Sequence, residues 1–156
     1  MLIESDKRGI QLQLLYSDEK FSVPKNVYII GMINTADRSL AMLDYALRRR
    51  FAFYEMRPGF ATEGFRGYRT ALKNDKFNNL IQCVENLNSV ISSDDSLGDG
   101  FCIGHSYFCN LNAETLTDRK LSAIVEYELV PLLKEYWFDE PLKVKDWTNN
   151  LRSAIK

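Results

Sequence analysis

One stretch of this chain, residues 29–51, constrains its fold more than any other. An apolar, β-branched run over 27–33 ends at the amide of Asn34, and a helical pattern then follows and closes on three arginines, 48–50. A run that is apolar on both faces is typical of a strand inside a parallel sheet covered by helices. An amide at the end of such a strand, followed by a cationic helix end, favours contact with a phosphate. The stretch therefore predicts an α/β fold in which one edge of the sheet can bind an anion such as a phosphate.

Shorter patterns around this stretch complete the predicted α/β part. Residues 10–16 alternate between apolar and polar, so one face of a strand is expected to be apolar and the other wet, and the polar residues 17–20 form a turn. A helix is expected over 39–50, with Asp37 or Ser39 as its N-cap. A second short strand is expected over 51–56.

The rest of the chain predicts helices. Pro58-Gly59 interrupts the pattern, and we place a domain boundary there, with 1–57 as the α/β part and 58–156 as a helical domain. Apolar residues recur at helical spacing in three stretches. One of these stretches contains Pro131, a residue that normally interrupts a helix. The stretches with this spacing are 76–92, 117–138 and 140–153.

Charge and hydropathy exclude several classes of protein. With 20 Lys and Arg against 21 Asp and Glu, the net charge is −1, so the chain has no overall basic field for holding nucleic acid. DNA binding would need a local patch or another domain. No apolar segment reaches the roughly 20 residues that span a bilayer, and no signal pattern opens the sequence. We therefore expect a cytoplasmic protein that does not bind membranes.

The cysteines give no metal signature. Cys83, Cys102 and Cys109 lack a paired C-x-x-C spacing, and His105 is the only histidine. Zinc sites need such a cluster, so we interpret the three thiols as reduced, small apolar groups and predict no metal site in the chain.

Four motifs, taken together, resemble the McrB family, the AAA+ GTPase motor subunit of the 5-methylcytosine-dependent (McrBC) restriction system. They occur in the family's order: Asn34–Ser39, Asp44–Phe51, Gly104–Phe108 and Pro131–Phe138. The resemblance runs from residue 1 to about residue 150. It implies the C-terminal part of a P-loop NTPase (AAA+) core with parallel strands, followed by an all-α helical lid.

One departure from the family is as informative as the match. The family carries a P-loop and an Asp-Glu metal-binding strand before this region, yet the chain contains no Gly-Lys-Ser or Gly-Lys-Thr. Those groups supply most of the affinity for phosphate. The resemblance therefore implies a fragment of a motor that uses GTP (or ATP) and Mg²⁺, with the chain alone inactive and holding neither tightly.

The resemblance also implies partners. They are other AAA+ subunits in a ring, a McrC-like nuclease subunit, and DNA, which would be bound through an N-terminal domain that this chain lacks. The alternative is a non-enzymatic interaction or regulatory module that docks on a full-length AAA+ ring.

Asn34 and Asp37 are the candidate catalytic residues in cis. By the resemblance, Asn34 would hydrogen-bond the terminal phosphate and the attacking water, and Asp37 would orient that water. The plainer interpretations are that Asn34 closes a turn and that Asp37 caps the next helix, a role that is compatible with catalysis.

Arg48 and Arg49 are the candidate trans-acting groups. Arginines at a helix end interact favourably with the helix dipole, which is the plainer explanation. The resemblance implies that this helix end faces the nucleotide of a neighbouring subunit, where Arg48 or Arg49 would stabilise transition-state charge. Arg50 would instead help to hold the edge of the sheet.

His105 is the candidate nucleotide contact in the lid, with a structural hydrogen bond as the alternative. Trp137, Phe138 and Trp147 are expected either to form an exposed partner surface or, as we favour, to pack the helices together. Lys143 and Lys145 are interpreted as a solvated face.

Overall fold

The computed structural model describes residues 2–34 and 48–156. The chain divides into two compact units, Met1–Glu55 and Met56–Lys156. The predicted domain boundary lies close to this division. We describe each unit by itself and call the second one the helical unit.

The first unit contains a small antiparallel hairpin. Strand β1 (Leu12–Gln13) pairs with β2 (Lys20–Phe21), so that Leu12 lies opposite Phe21 and Gln13 opposite Lys20. Asp18 adopts a left-handed conformation (φ 52°) in the connecting turn, and its Oδ1 accepts a hydrogen bond of 2.9 Å from Gln13 Nε2. The predicted polar turn is thus confirmed, although β1 is shorter than the alternating pattern over 10–16 predicts.

The structure does not show the predicted parallel sheet. Residues 27–33 and 51–56 belong to no strand in the part of the chain that the structure describes. Side chains of the first run are exposed instead, by 91% at Ile30 and 98% at Met32. A segment forms a β-strand only when its backbone N–H and C=O groups pair with those of a neighbouring strand. Among the described residues, no strand pairs with the run 27–33.

The helical unit contains a helix that the sequence patterns did not predict, and it precedes the predicted ones. Thr62 caps helix α1 (Glu63–Leu72), since its side chain accepts from the backbone N–H of Phe65 at 3.3 Å. Two glycines at positions 64 and 67 weaken the sequence signal for this helix.

The three helices predicted for the helical unit are confirmed, whereas most of the helix predicted over 39–50 lies outside the described residues. Helix α2 (Asp75–Ser92) begins at the N-cap Asn74, whose side chain accepts from Phe77 N–H at 2.8 Å. Helix α3 (Asp118–Ala123) runs into a π-helix (Ile124–Leu129) and then into α4 (Val130–Tyr136). Helix α5 (Pro141–Ala154) follows.

The hydrophobic core of the helical unit draws on every one of these helices. The fully buried side chains include those of Phe77, Leu121, Leu133, Trp137 and Leu151. Periodicity alone predicts this burial, because these residues recur on one face of each helix. No helix among the described residues has the length and hydropathy needed to cross a bilayer.

Polar side chains attach the loops to this core. Buried Asn88 accepts from Ile103 N–H at 2.7 Å and donates to Ile103 O at 2.9 Å. Tyr68 Oη donates to the carbonyl of Phe108 and accepts from Leu111 N–H. Together they hold the connection between α2 and α3, which carries His105.

Candidate functional site

The three arginines have different surroundings in the first unit. Arg48 is exposed, with its guanidinium carbon 5.7 Å from the centroid of the Phe53 ring. Arg50 Nε donates to Glu4 Oε1 at 2.5 Å. Arg49 is exposed and forms no ion pair with any residue of the described ranges. Of the three, Arg49 is the one whose charge is most open to a partner.

Glu4 joins two distant parts of the first unit. Its carboxylate accepts from Lys7 Nζ at 2.5 Å and from Arg50 Nε, a residue 46 positions away. The pKa of Glu4 is lowered to about 2, mainly by the hydrogen bond from Lys7 and, after it, by the hydrogen bond from Arg50. This hydrogen bond joins Arg50 to the N-terminal segment, and the predicted role of Arg50 in holding the edge of a sheet stays a prediction.

An open depression lies beside these groups. Its volume is about 470 Å³, and it is lined by Glu4, Ser5, Asp6, Arg49 and Arg50. Two cations and two carboxylates share its wall, so it does not form a purely cationic cradle for a phosphate. A phosphate at this point would depend mainly on Arg49, since Arg50 is already engaged by Glu4.

Of the two candidate catalytic residues in cis, Asn34 and Asp37, the structure describes only Asn34. Asn34 is exposed and is therefore not enclosed in a core. Asp37 lies outside the described residues. The predicted catalytic roles of Asn34, Asp37, Arg48 and Arg49 stay predictions.

His105 has a structural role in the helical unit. Its Nδ1 accepts a hydrogen bond of 2.9 Å from the backbone N–H of Gly59, and its ring packs edge-on against those of Phe60 and Phe65. An accepting Nδ1 places the proton of the neutral ring on Nε2. This contact is the structural hydrogen bond that the sequence analysis gives as the alternative to nucleotide contact. The predicted contact with nucleotide would have to use Nε2 and stays a prediction.

Gly59 makes this arrangement possible. A Cβ added at position 59 would lie 2.9 Å from His105 Cε1 and 3.0 Å from Nε2, closer than side chains tolerate. The close approach of ring and backbone explains the glycine at the start of the helical unit.

A second polar cluster in the helical unit was missed by sequence reasoning. Asp94 Oδ2 accepts from Trp137 Nε1 at 2.8 Å and from Lys143 Nζ at 2.7 Å, and Asp94 Oδ1 accepts from Ser96. The Lys143 ammonium also lies 4.4 Å from the Trp137 ring centroid. The interpretation of Lys143 as part of a solvated face was therefore wrong. The partners are more than 40 residues apart, and no local pattern marks such a pairing.

The aromatic residues near the end of the chain divide between the two expected roles. Trp137 is 1% exposed and packs in the core, whereas Phe138 is 82% exposed. Trp147 is partly buried against the core. Packing is thus confirmed for Trp137 and Trp147 and wrong for Phe138.

Among the described residues, no cluster of three or more His, Cys, Asp or Glu side chains is arranged to hold a metal ion. The first unit has an exposed amide at Asn34 and an exposed guanidinium at Arg49. Such groups can donate hydrogen bonds to the oxygens of a terminal phosphate, but they cannot enclose a nucleotide.

Comparison with known proteins shows what the chain is similar to. A family model described as McrB, alpha-helical lid domain, matches residues 79–145, which lie within the helical unit. The Type IV methyl-directed restriction enzyme EcoKMcrB subunit of Escherichia coli (strain K12) is 50% identical over 161 aligned positions, which cover 97% of this chain. The chain belongs to the McrB family. It spans 35% of the length of that relative.

Proposed function

We propose that this chain is the C-terminal part of the nucleotide-driven motor of a restriction system directed at modified cytosine. The observation that carries the proposal is the 50% identity, over 97% of the chain, to a subunit of a methyl-directed restriction enzyme. The motifs that resemble the McrB family fall within this match, and they include the candidate site residues.

In this proposal Asn34 and Asp37 act in cis on the terminal phosphate and the attacking water. Arg49 acts in trans on the nucleotide of a neighbouring subunit, where its positive charge stabilises the charge that develops on the transferred phosphoryl group. The exposure of Arg49, together with the engagement of Arg50 by Glu4 and of Arg48 by Phe53, supports the choice of Arg49.

The proposed nucleotide is GTP (or ATP) with Mg²⁺. The residues of this chain fit the terminal phosphate only, because the sequence holds no P-loop to cradle the other phosphates. Mg²⁺ would neutralise charge on the phosphates when it is bound. The proposed partners are further AAA+ subunits in a ring, a McrC-like nuclease subunit, and DNA through another domain.

A chimaera tests the assignment of Arg49. This chain would replace the corresponding part of the E. coli relative, and GTP hydrolysis by the purified ring would be measured. We expect Arg49→Ala to lower kcat by about 10³-fold or more, the range seen for trans-acting arginines. Arg48→Ala is the matched control and should retain most of the activity.

A mixing experiment separates action in trans from action in cis. Arg49→Ala subunits would be mixed with subunits that lack the P-loop lysine of the E. coli part, each inactive alone. If Arg49 acts in trans, mixed rings regain hydrolysis, because intact P-loops then face intact arginines. Mixed rings that assemble and stay inactive would contradict the proposal.

The unmodified chain by itself should hydrolyse no GTP or ATP. Robust turnover by the purified chain, abolished by Asp37→Ala, would show that it needs no P-loop half.

A second candidate function is a non-enzymatic module that docks on a complete ring. The observation in its favour is that the helical unit has a hydrophobic core of its own. A pull-down of the chain with the full-length E. coli relative distinguishes the two. Stable binding that changes the hydrolysis rate of the ring, with no turnover by the chain, would favour the module.

A further inference from the structure

The N-terminal half of α5 carries an open groove that the proposed nucleotide chemistry does not use. Its volume is about 580 Å³, and its apolar wall is formed by Pro141, Leu142 and Trp147. Leu142 is 75% exposed, and Phe138, one turn before the helix, is 82% exposed. Large apolar side chains elsewhere in the helical unit are mostly buried, so this concentration of exposed apolar surface is unusual for it.

The rim of this α5 groove is acidic. Asp139, Glu140 and Asp146 line it, and Asp139 and Asp146 form no ion pair with any residue that the structure describes. The single cation that lines the groove, Lys143, is shared between Asp94 and Glu140 at 2.7 and 3.3 Å. Its charge is therefore already compensated, and the groove presents net negative charge.

The wall of the groove is held in place by the core. Lys143 and buried Trp137 both donate to Asp94, which connects the loop after α2 to the end of α4 and the first turn of α5. A surface that is fixed before binding loses less entropy on association than a flexible one.

We propose that the α5 groove is a docking site for a basic amphipathic segment of a partner protein. Apolar anchors of the segment would contact Leu142 and Trp147, and its Arg or Lys side chains would pair with Asp139 and Asp146. Charge complementarity of this kind selects the partner and speeds the encounter. The same rim repels phosphates, which favours a protein partner over a nucleic acid.

Fluorescence anisotropy of the full chain with a labelled peptide tests the proposal. The peptide would be a 12-residue helix former with Leu and Trp on one face and Arg on the other, and the matched probe would carry Glu at every Arg position. We expect binding of the Arg peptide only. The Asp139→Asn/Asp146→Asn variant should weaken it by at least about tenfold, and so should Leu142→Ser, since anchors and opposite charges both contribute.

The Glu114→Gln/Glu128→Gln variant is the control, because it removes the same charge from exposed positions away from the groove. It should bind the Arg peptide like the unmodified chain, and all variants should keep the thermal unfolding midpoint of the parent.

Three results would overturn the proposal. The control variant could lose as much affinity as the groove variant, which would mean attraction by net charge alone. Leu142→Ser could leave the affinity unchanged. The Asp139→Asn/Asp146→Asn variant could abolish association between copies of the chain, which would make a second copy the occupant.

Discussion

At the scale of single residues, the contact of Gly59 with His105 shows how a glycine and a histidine depend on one another. The imidazole lies against the backbone of Gly59 and accepts its N–H, so the position has no room for a side chain. The resemblance of the Gly-His-Ser-Tyr-Phe motif predicts a contact with nucleotide, and the structure adds a packing reason for the same histidine.

Gly59→Ala should destabilise the helical unit. The added Cβ would overlap the imidazole and force a shift in a packed aromatic cluster, which typically costs about 1–3 kcal/mol. Chemical denaturation monitored by circular dichroism measures the change. The matched control is Gly67→Ala, where a Cβ meets open space inside α1 and should stabilise by about 0.5–1 kcal/mol. Equal effects of the two substitutions would contradict this account.

Asp94 is the residue on which the loop after α2 depends. Hydrogen bonds from Lys143, Ser96 and Trp137 hold the pKa of this carboxyl well below its usual range. A carboxyl whose pKa is lowered by folding stabilises the native state above its unfolded pKa of about 4, and that contribution is lost as the pH falls below it. Stability should therefore decrease with acid.

Asp94→Asn should reduce the free energy of unfolding by about 1–3 kcal/mol at neutral pH, because its partners lose a charged acceptor. Between about pH 5 and pH 2 the variant should also lose less stability than the unmodified chain does. Denaturation curves across this range test both expectations. Asp95→Asn, at the exposed neighbouring position, is the control, and a steeper acid dependence for Asp94→Asn than for the control would argue against the role.

At the scale of elements, the π-helix between α3 and α4 is the feature that periodicity could not predict. Val130 N–H donates to the carbonyl of Val125, five residues earlier. Pro131 follows, has no N–H to donate, and would crowd the preceding carbonyls of a regular α-helix. The wider π turn relieves that crowding while Leu129 and Leu133 remain buried.

A π-helix contains extra residues relative to an α-helix, so deleting one should be tolerated there. We expect deletion of exposed Tyr127 to keep a cooperative thermal transition, because the flanking buried faces stay in register. Deletion of exposed Asn86 inside α2 is the control. It rotates Leu87 and Ile91 out of the core by about 100° and should abolish cooperative unfolding. If both deletions abolished the cooperative transition, the π-helix would be required for folding and would not be a tolerated insertion.

At the scale of the whole molecule, the two units differ in how they bury apolar surface. The helical unit has a continuous core, whereas none of the described residues of the first unit is buried. The exposed side chains of the first unit include Tyr28, Ile30 and Met32. An extended apolar segment without neighbouring strands is a template for pairing with another chain.

The purified chain should therefore self-associate. Ile30→Lys/Met32→Lys should reduce the association strongly, because charged side chains oppose edge-to-edge pairing. Light scattering at several concentrations measures it. Tyr127→Lys, which alters an exposed aromatic residue of the helical unit, should leave the association unchanged. A monodisperse monomer for the unmodified chain would contradict the prediction.

Local sequence determined much of the helical unit. The apolar periodicity of 76–92 and 140–153 and caps such as Asn74 specify helices through interactions between residues three or four positions apart. The motifs Asn34–Ser39 and Pro131–Phe138 pointed to the McrB family, and the comparisons confirm the family. Each of these signals is contained in a short window of the chain.

Tertiary structure alone decided the interactions between distant residues. Glu4 with Arg50, Gly59 with His105, and Asp94 with Trp137 and Lys143 are pairs separated by more than 40 positions, and they exist because packing brings their atoms within hydrogen-bond distance. Strand pairing is non-local in the same way. The apolar run 27–33 carries a strong strand pattern, yet a pattern cannot supply the neighbouring backbone that a sheet requires.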